Sequence, residues 1–425
     1  MTGSHKAYAK LTQKDAAEAA TRHETLYSGR IGGARAVFAF NDLSGLDLSG
    51  RNLADADFTG AILEATNLSK CRLDSSSFFG ADLRRANLTQ ASLRRADLRG
   101  VCLKGADLTG ADLFEAVLRE GTIAQKERSG NLRVMQHEVG PTELPGARLQ
   151  FANLERAKLN GAMAVQADFT DPMMKNCRLV RANLRQATLK GANLENADLT
   201  GCNLTGANLS GAVLVGTNFE MTVLDGADFS NTLTAKQTGP DPGKMPVNPE
   251  AMLDAHARWA ESSGREGTPA DLSGMDLRRI GGLATRQLTA LIAPGAVLYG
   301  LDLEGASLQG SNLSGADLRS VRLCGADLRG VNLSGARLTR SDLRDARLGP
   351  LVIGDNRLLP SRLERIEARY ADFRGADLKA ASFRGADLSF ANLRDGHFRD
   401  NNFEGVTLTG AKLPQALVDT LIKNL

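Results

Sequence analysis

Residues 81–100 read Ala-Asp-Leu-Arg-Arg-Ala-Asn-Leu-Thr-Gln-Ala-Ser-Leu-Arg-Arg-Ala-Asp-Leu-Arg-Gly, with Leu at every fifth position and Ala two residues before each Leu. The same spacing extends outward in both directions. Leu or Phe occupies nearly every fifth position over 38–123, 149–229, 298–353 and 373–413, with a slip of one residue between the first two runs. Leu fills 42 and Phe fills 10 of these 56 positions, and Ala precedes 34 of them by two residues. The chain is therefore built on a five-residue repeat.

A period of five matches neither the two-residue repeat of a half-buried strand nor the 3.6-residue repeat of an amphipathic helix. A closed coil accommodates this period, because each pentapeptide can form one short extended side followed by a turn. The central Leu or Phe and the preceding Ala then point inward, and the Asp or Asn between them points outward. Gly is frequent two residues after the central position, which suits a corner with positive φ.

The A(D/N)LxG pattern, seen at Ala106-Asp-Leu-Thr-Gly, Ala207-Asn-Leu-Ser-Gly and Ala326-Asp-Leu-Arg-Gly, resembles the pentapeptide-repeat family. The resemblance covers most of the chain. It implies the family's fold, an all-β solenoid in the form of a right-handed quadrilateral β-helix with four pentapeptides per coil. Residues twenty apart should then lie directly above one another on one wall.

The composition is that of an ordinary soluble protein, 42% hydrophobic and 24% charged, but aromatic residues make up only 5% of the 425 residues. The core must therefore consist mainly of small and aliphatic side chains. Lys plus Arg number 52 against 49 Asp plus Glu, and this near balance argues against a surface selected to bind nucleic acid or to imitate it. No apolar run approaches the ~18 residues needed to span a bilayer, and the polar N-terminus favours a cytoplasmic protein.

No pattern of catalytic or cofactor-binding residues is present. The five His show no metal spacing such as HxxxH, the five Cys form no CxxC pair, and no P-loop or nucleophile elbow occurs. Cys71, Cys177 and Cys202 occupy the inward Ala position, where Cys acts as a small hydrophobe. We therefore expect no enzymatic activity, no metal and no cofactor.

Three stretches depart from the coil pattern. Residues 124–147 alternate around a Gly-containing turn and predict a β-hairpin that projects from the coil wall. Residues 278–295 contain an apolar segment, Leu283–Ile292, that suggests a short inserted helix. Residues 354–370 keep the five-residue phase at Leu358 and Leu363, so a degenerate coil and a loop that returns to register both remain open.

Helical segments are predicted ahead of each solenoid. Thr12 and Asp15 resemble a capping box, and Asn248 followed by Pro249 suits an N-cap with Pro at the first helical position. An open β-helix end exposes strand edges and core, so these helices should cap the solenoids. The predicted organisation is a helical cap at 1–35, a first β-helix at 36–233, a Pro/Gly linker at 234–250, a capping helix at 251–267, a second β-helix at 268–413 and a C-terminal capping helix at 414–425.

The C-terminal segment leaves two interpretations open. Leu417, Val418, Leu421 and Leu425 fall on one side of a helix. Such a helix would serve as a lid on the second solenoid. The alternative is a homodimer formed through this helix, as some members of the resembled family use their C-termini.

Arginine is concentrated on one level of the first solenoid, next to outward-facing Phe. This Arg-rich level would suit an acidic partner or a phosphate backbone, and the alternative is a solvated belt paired with Asp82, Asp97 and Asp107. Aromatic side chains beside Arg are common interface anchors, and the predicted hairpin adds apolar residues. The candidate partner-binding residues are Arg84, Arg85, Arg94, Arg95, Arg99, Lys104, Arg119, Phe79, Phe114, Leu132, Val134 and Met135.

These features predict a non-catalytic scaffold or adaptor that binds an unidentified protein partner through rigid walls and a hairpin. The alternative is modulation of a DNA topoisomerase or a DNA-binding protein by DNA mimicry, because some members of the resembled family bind type II topoisomerases. Mimicry requires a strongly acidic surface, and the net charge of +3 argues against it. Direct nucleic-acid binding is disfavoured as well, since the Asp residues repeated along the walls would oppose a phosphate track.

Overall fold

A computed structural model describes residues 8–120, 140–239, 248–354, 357–415 and 417–419, together with the backbone of 124–126 and 132–134. The chain divides into two compact units, Met1–Lys236 and Gln237–Leu425. In each unit a helix precedes a four-sided, right-handed β-helix.

The five-residue period forms one side of a coil, and four sides complete a turn. Parallel bridges join residues twenty apart along a wall, as in Asp47↔Asn67 and Asn67↔Asn87. The central residues of each side point into the coil, where Leu83 and Leu88 are fully buried. The predicted stacking of residues twenty apart, with Leu and Ala inside, is confirmed.

Each side ends in a turn that an Asp or Asn side chain stabilises. The Oδ1 atom of Asp82 accepts a hydrogen bond from the backbone N–H of Arg84 at 3.1 Å. The following corner residue is left-handed, whether it is Gly105 (φ 66°) or Arg85 (φ 56°). A residue with a Cβ costs about 1–2 kcal/mol in this conformation, which explains why Gly is frequent at the corners.

Polar residues replace the inward Ala where a backbone acceptor is within reach. The hydroxyl of Thr66 donates to the carbonyl of Leu43 at 2.8 Å, and that of Ser311 donates to Leu288 at 2.8 Å, 23 residues earlier in both cases. The thiol of Cys71 takes the same place, and burial raises its pKa to about 11. These buried polar groups are therefore satisfied within the wall.

The N-terminal segment is tied to the first coil by a short strand. Strand β1 (Ala9–Lys10) pairs in parallel with strand β2 (Asn41–Asp42), and helix α1 (Gln13–Tyr27) follows β1. The N–H of Leu11 donates to the carbonyl of Asp42 at 2.9 Å and extends this pairing.

Helix α1 begins at a capping box formed by Thr12 and Asp15. It buries His23 against the first coil, where the ring Nδ1 accepts the N–H of Ala36 at 3.0 Å and Nε2 lies 2.8 Å from the carbonyl of Ala54. Burial lowers the pKa of His23. The neutral ring can therefore accept at Nδ1 and donate from Nε2, which joins the helix to two sides of the first coil.

The second unit repeats this capping geometry. Helix α2 spans Pro249–Glu261 rather than the predicted 251–267, and the side chain of Asn248 accepts the N–H of Glu250 at 2.8 Å. The Nδ1 atom of the buried His256 accepts the N–H of Ala270 at 3.1 Å. In both units a buried His thus joins the helix to the start of the coil.

The first unit contains a long insertion. Cys102 pairs with Glu143, at a spacing of 41 instead of twenty, so the insertion is one residue longer than a full coil. Within the insertion, strand β3 (Ala124–Lys126) pairs antiparallel with strand β4 (Leu132–Val134). The coil resumes at Glu143, before the predicted end of the hairpin at 147.

The second unit contains a shorter insertion. Asn332 pairs with Arg362, thirty residues later, so ten residues are inserted. They form an antiparallel hairpin of strands β5 (Leu351–Ile353) and β6 (Arg357–Leu359). The degenerate coil considered for 354–370 is therefore wrong, because Leu358 lies on the hairpin at 62% exposure and the coil resumes at Arg362.

A single residue is inserted near the start of the second unit. Asp276 pairs with Val297, one position beyond the usual spacing of twenty, and a 3-10 turn at Leu283–Thr285 accommodates the extra residue. The inserted helix predicted within 278–295 is wrong beyond this turn, because Gln287 already pairs with Ser307 in the regular coil.

Two predicted segments lie partly outside the described residues. Of the linker at 234–250, residues 240–247 are not described, and of the C-terminal helix at 414–425 only 414–415 and 417–419 are described. The capping and dimerisation roles considered for that helix therefore stay predictions. In the part of the chain that is described, no helix is long and apolar enough to cross a membrane.

Candidate functional site

The Arg-rich level of the first unit extends over three walls. Residues 81–85 and 91–95 form opposite sides of one coil, and 96–100 form a side that joins them. The candidate residues therefore separate into Arg84, Arg85 and Lys104 on one wall, Arg94, Arg95 and Phe114 on the opposite wall, and Phe79, Arg99 and Arg119 on the joining wall.

On the first of these walls the arginines are neutralised. The Nε atom of Arg84 lies 2.8 and 2.9 Å from the two carboxylate oxygens of Asp82, and Arg85 pairs with Glu64. Lys104 is exposed and has no ion pair among the described residues. This wall fits the paired, solvated belt that was the alternative interpretation.

On the opposite wall Phe114 lies between two arginines. The guanidinium carbon of Arg94 lies 4.5 Å from the centroid of the Phe114 ring, and that of Arg156 lies 5.7 Å from it. Arg94 also donates to Asp112 at 2.8 Å. Each exposed cation–π contact contributes about 0.5–1 kcal/mol. This cluster therefore holds the aromatic ring in place, while Arg95 on the same wall is exposed.

The joining wall carries a further cation–π pair. The guanidinium carbon of Arg99 lies 4.9 Å from the centroid of Phe79, and Arg99 Nε donates to Asp97 at 2.8 Å. Phe79 is only 8% exposed, so the expectation of an exposed aromatic at this position is wrong. Arg119 stacks one coil beyond Arg99, where its carbonyl accepts the N–H of Gly100 at 3.1 Å.

A groove of about 880 Å³ continues along the joining wall beyond Arg119. The side chains that directly follow the central Leu of successive coils form its floor, and corner residues form its edge. Residues that flank the long insertion close one end. The lining residues are Arg119, Glu120, Pro141, Asn160, Gly161, Met163, Val180, Arg181, Thr200, Gly201 and Met221.

The chemistry of the groove is mixed. Met221 is 80% exposed and adds to the apolar surface of Val180, while Arg119 and Arg181 are exposed cations. The Oδ1 atom of Asn160 is buried and has no hydrogen-bond partner among the described residues. Apolar surface and two cations, next to the carboxylate of Glu120, together suit a polypeptide that offers both apolar and charged side chains.

The predicted hairpin residues contribute little to this description. Leu132 and Val134 lie in strand β4, of which the backbone alone is described, and Met135 lies outside the described residues. Their contribution to partner binding stays a prediction.

Arg156 and the groove residues Asn160, Val180 and Met221 are not among the candidate residues that the sequence predicts. Their positions follow from the same stacking rule, but the spacing across the insertion is 41 rather than twenty. The sequence signal for this spacing is the one-residue slip of the repeat. It predicts which residues are neighbours only when the chain is known to return to the wall at Glu143.

The thiols are poorly suited to nucleophilic chemistry. Burial raises the pKa of Cys202 to about 12 and raises the pKa of Cys177 further, which suppresses the thiolate. Among the described residues no group of three or more His, Cys, Asp or Glu is placed to hold a metal ion.

A sequence profile of pentapeptide repeats matches segments that together span most of the chain. This chain belongs to the pentapeptide-repeat family. The matched residues are 42–78, 76–113, 142–171, 174–206, 202–232, 287–319, 316–349, 361–400 and 381–417. They include the Arg-rich level apart from Phe114 and Arg119, and most of the groove, whereas the two hairpins fall between the matched segments. Among curated proteins no sequence matches this pentapeptide-repeat protein significantly.

Solved structures of the family are similar to this protein. Rfr23, a pentapeptide-repeat protein from the cyanobacterium Cyanothece 51142, is 31% identical over 32% of this chain and 90% of its own, with a TM-score of 0.24. HetL from Nostoc sp. strain PCC 7120, which is involved in the regulation of heterocyst differentiation, is 21% identical over 93% and 95%, with a TM-score of 0.13. QnrB1, a plasmid-mediated fluoroquinolone resistance protein, is 13% identical over 90% and 99%, with a TM-score of 0.14.

Proposed function

We propose that this pentapeptide-repeat protein is a non-catalytic, cytoplasmic adaptor that binds a protein partner in the groove of its first unit. The partner segment lies along the wall from Arg119 to Met221 and contacts Val180 between them. Arg119 and Arg181 recognise carboxylates of the partner.

The observation that carries this proposal is the groove itself. The described walls elsewhere on the Arg-rich level are largely occupied by pairings within the chain, such as Arg84 with Asp82 and Arg94 with Asp112. In the groove, by contrast, exposed cations and an exposed Met lie together. Such a combination of apolar and polar groups is typical of interfaces.

The alternative function is DNA mimicry directed at a topoisomerase. The likeness to QnrB1 is compatible with it, but at 13% identity that likeness concerns the fold alone. The formal net charge of +3 weighs against imitation of a duplex. Inhibition of DNA supercoiling by purified gyrase at stoichiometric protein would favour the alternative over the adaptor.

Photo-cross-linking tests the adaptor proposal in cells of the native host. A photoreactive phenylalanine analogue replaces Val180 in the groove or, as a matched control, the exposed Lys190, which occupies the same turn position two sides away. We expect one defined cross-linked protein with Val180 and none with Lys190. The variant Met221→Asp should abolish this product. Equal products at the two positions, or a product insensitive to Met221→Asp, would exclude the groove as the binding site.

A further inference from the structure

The ten-residue hairpin of the second unit is packed firmly on the wall through one face. A Cβ atom placed on Gly330 would lie 2.8 Å from Leu351 Cβ and 3.1 Å from Leu359 Cδ2, so both leucines rest on the bare backbone of this corner. Leu351 also reaches Gly310 on the preceding coil. These two glycine corners provide the space into which the inner face of β5 and β6 fits.

The outer face of the same hairpin is apolar and exposed. Val352 and Leu358 are directly opposite one another across the two strands, and they are 61% and 62% exposed. Exposed, opposed aliphatic side chains on a two-stranded sheet with open edges are a template for a further strand.

The coil does not need this hairpin for its own continuity. The N–H of Gly330 lies 3.2 Å from the carbonyl of Gly349 and 3.0 Å from Ser361 Oγ, so the two ends of the insertion meet at one point of the wall. The Ser361 hydroxyl also donates to the carbonyl of Leu328, as inward polar residues do in uninterrupted coils. The exposed apolar face is therefore an addition to the solenoid.

The sequence that contains the hairpin is cationic. From Arg347 to Arg362 the sequence contains three arginines and a single Asp. Arg357 and Arg362 are exposed and have no ion pair among the described residues. The nearby carboxylate of Asp327 is already shared, because Arg329 Nη2 lies 2.7 Å and Arg347 Nη1 lies 3.2 Å from its Oδ2 atom.

We propose that the β5–β6 hairpin is a second docking site, which binds an extended segment of an acidic partner protein as a third strand. Apolar side chains at alternate positions of that segment cover Val352 and Leu358, and the intervening carboxylates face Arg357 and Arg362. Strand addition of this kind draws affinity from backbone hydrogen bonds and specificity from alternate side chains. This site is independent of the groove in the first unit.

The charge pattern selects this occupant over a second copy of the chain. A symmetric dimer through the hairpin would bring equivalent surfaces together. It would therefore place Arg357 of each copy near the cationic sequence of the other hairpin, and like charges across an interface are unfavourable. An acidic strand meets no such repulsion.

Fluorescence anisotropy with two labelled octapeptides tests the proposal on the full chain. One peptide alternates Glu with Val, and the other alternates Lys with Val. We expect the Glu/Val peptide to bind and the Lys/Val peptide not to bind at low salt, with weaker binding of the Glu/Val peptide when the salt concentration is raised. Equal binding of both peptides would overturn the proposal.

Variants locate the binding. The double variant Val352→Ser/Leu358→Ser should weaken binding of the Glu/Val peptide by about tenfold or more, a loss of the size expected for central apolar contacts. Ile292→Ser, which alters an exposed apolar residue on a wall of the same unit, is the matched control and should bind normally. Unchanged binding in the double variant would refute the assignment.

Removal of the whole hairpin provides a second, independent variant. Deleting 350–359 removes ten residues and restores the twenty-residue spacing, but it places Pro360 at a left-handed corner that Pro cannot adopt. The deletion is therefore combined with Pro360→Gly. We expect this protein to remain folded and to lose peptide binding, and retained binding would contradict the proposal. A dimer in sedimentation that disappears with the hairpin would show that a second copy occupies the face instead.

Discussion

The register of the first unit makes a quantitative prediction about removal of its insertion. Deleting residues 121–141 joins Glu120 to Thr142 and restores the ladder spacing of twenty across the junction. The Thr142 hydroxyl donates to the carbonyl of Leu98 at 3.2 Å. After the deletion, 23 residues would separate Thr142 from Leu98. The same separation joins Thr66 to its acceptor Leu43 in an uninterrupted coil.

The expected cost of this deletion is small. Glu120 must become a left-handed corner residue, which costs about 1–2 kcal/mol. Closing the long loop costs the present chain about 2–3 kcal/mol of entropy, and the deletion removes this cost. The two contributions nearly cancel, so the free energy of unfolding should change by no more than about 2 kcal/mol.

Deleting one residue more has a different outcome. Removal of 121–142 leaves the chain one residue short, a deficit of about 3.8 Å at the junction. The bonds made by Thr142 to Leu98 and to the N–H of Met163 are lost at about 1 kcal/mol each. The neighbouring Leu144, which is fully buried, is pulled from the core at about 2–5 kcal/mol. The total destabilisation is about 4–7 kcal/mol.

Equilibrium unfolding in urea, followed by far-ultraviolet circular dichroism, distinguishes the two deletions. The protein lacking 121–141 should unfold close to the intact protein, and the protein lacking 121–142 should unfold at clearly lower urea. Equal midpoints for the two deletions would show that the coil tolerates a frame shift and would refute the register argument.

Three further predictions concern single residues. Leu88→Asp should unfold the first unit, because it places a charge in a fully buried position, whereas Arg94→Ala should cost about 1–2 kcal/mol in urea unfolding. Burial lowers the pKa of His23, so the folded state disfavours protonation of its ring, and part of the stability that the folded protein has above about pH 6.5 should be lost as the pH falls. The variant His23→Gln should therefore show a smaller fall in melting temperature between about pH 7.5 and 5.5 than the intact protein. Gly330→Ala should be more destabilising than Gly325→Ala by about 1–3 kcal/mol, since both corners are left-handed but only the first contacts the hairpin.

The coil itself could be predicted from the sequence because its register depends on spacing alone. A period of five and four sides per coil place Leu83 beneath Leu103 without knowledge of any other contact, and the structure has them so. The same rule made the second hairpin difficult to find. Its ten residues are a multiple of five, so Ile353 and Leu358 stay in phase although they lie on the exposed hairpin. The long insertion of the first unit, in contrast, left a visible slip.

The groove could not be predicted because its residues come from both sides of that insertion. Arg119 precedes the insertion, and Asn160 and Val180 follow it. Counting by twenty from Arg119 reaches position 139, which lies in the insertion. The true neighbour is Asn160, at the same spacing that separates Cys102 from Glu143. Only the point at which the chain returns to the wall supplies this spacing.

Whether an arginine of the groove has a carboxylate partner within the repeat can be predicted from the sequence once the repeat frame is known. Where Asp precedes the central Leu and Arg follows it, as in Asp82 and Arg84, the two side chains pair across the turn. Arg119 has Val117 at the position of that Asp. Local pairing, rather than the net charge, therefore decides which cations remain available to a partner.

The same reasoning applies to the corner arginine of the groove, whose usual carboxylate partner would lie on the preceding coil. Arg85 pairs with Glu64, which lies at the turn of the preceding coil. At the equivalent place before Arg181 stands Asn160, whose amide cannot neutralise a guanidinium. The two exposed cations of the groove are thus those for which the repeat provides no carboxylate in the usual position. An acidic partner would supply the missing charge, which makes charge reversal at Arg119 and Arg181 more damaging to partner binding than to folding.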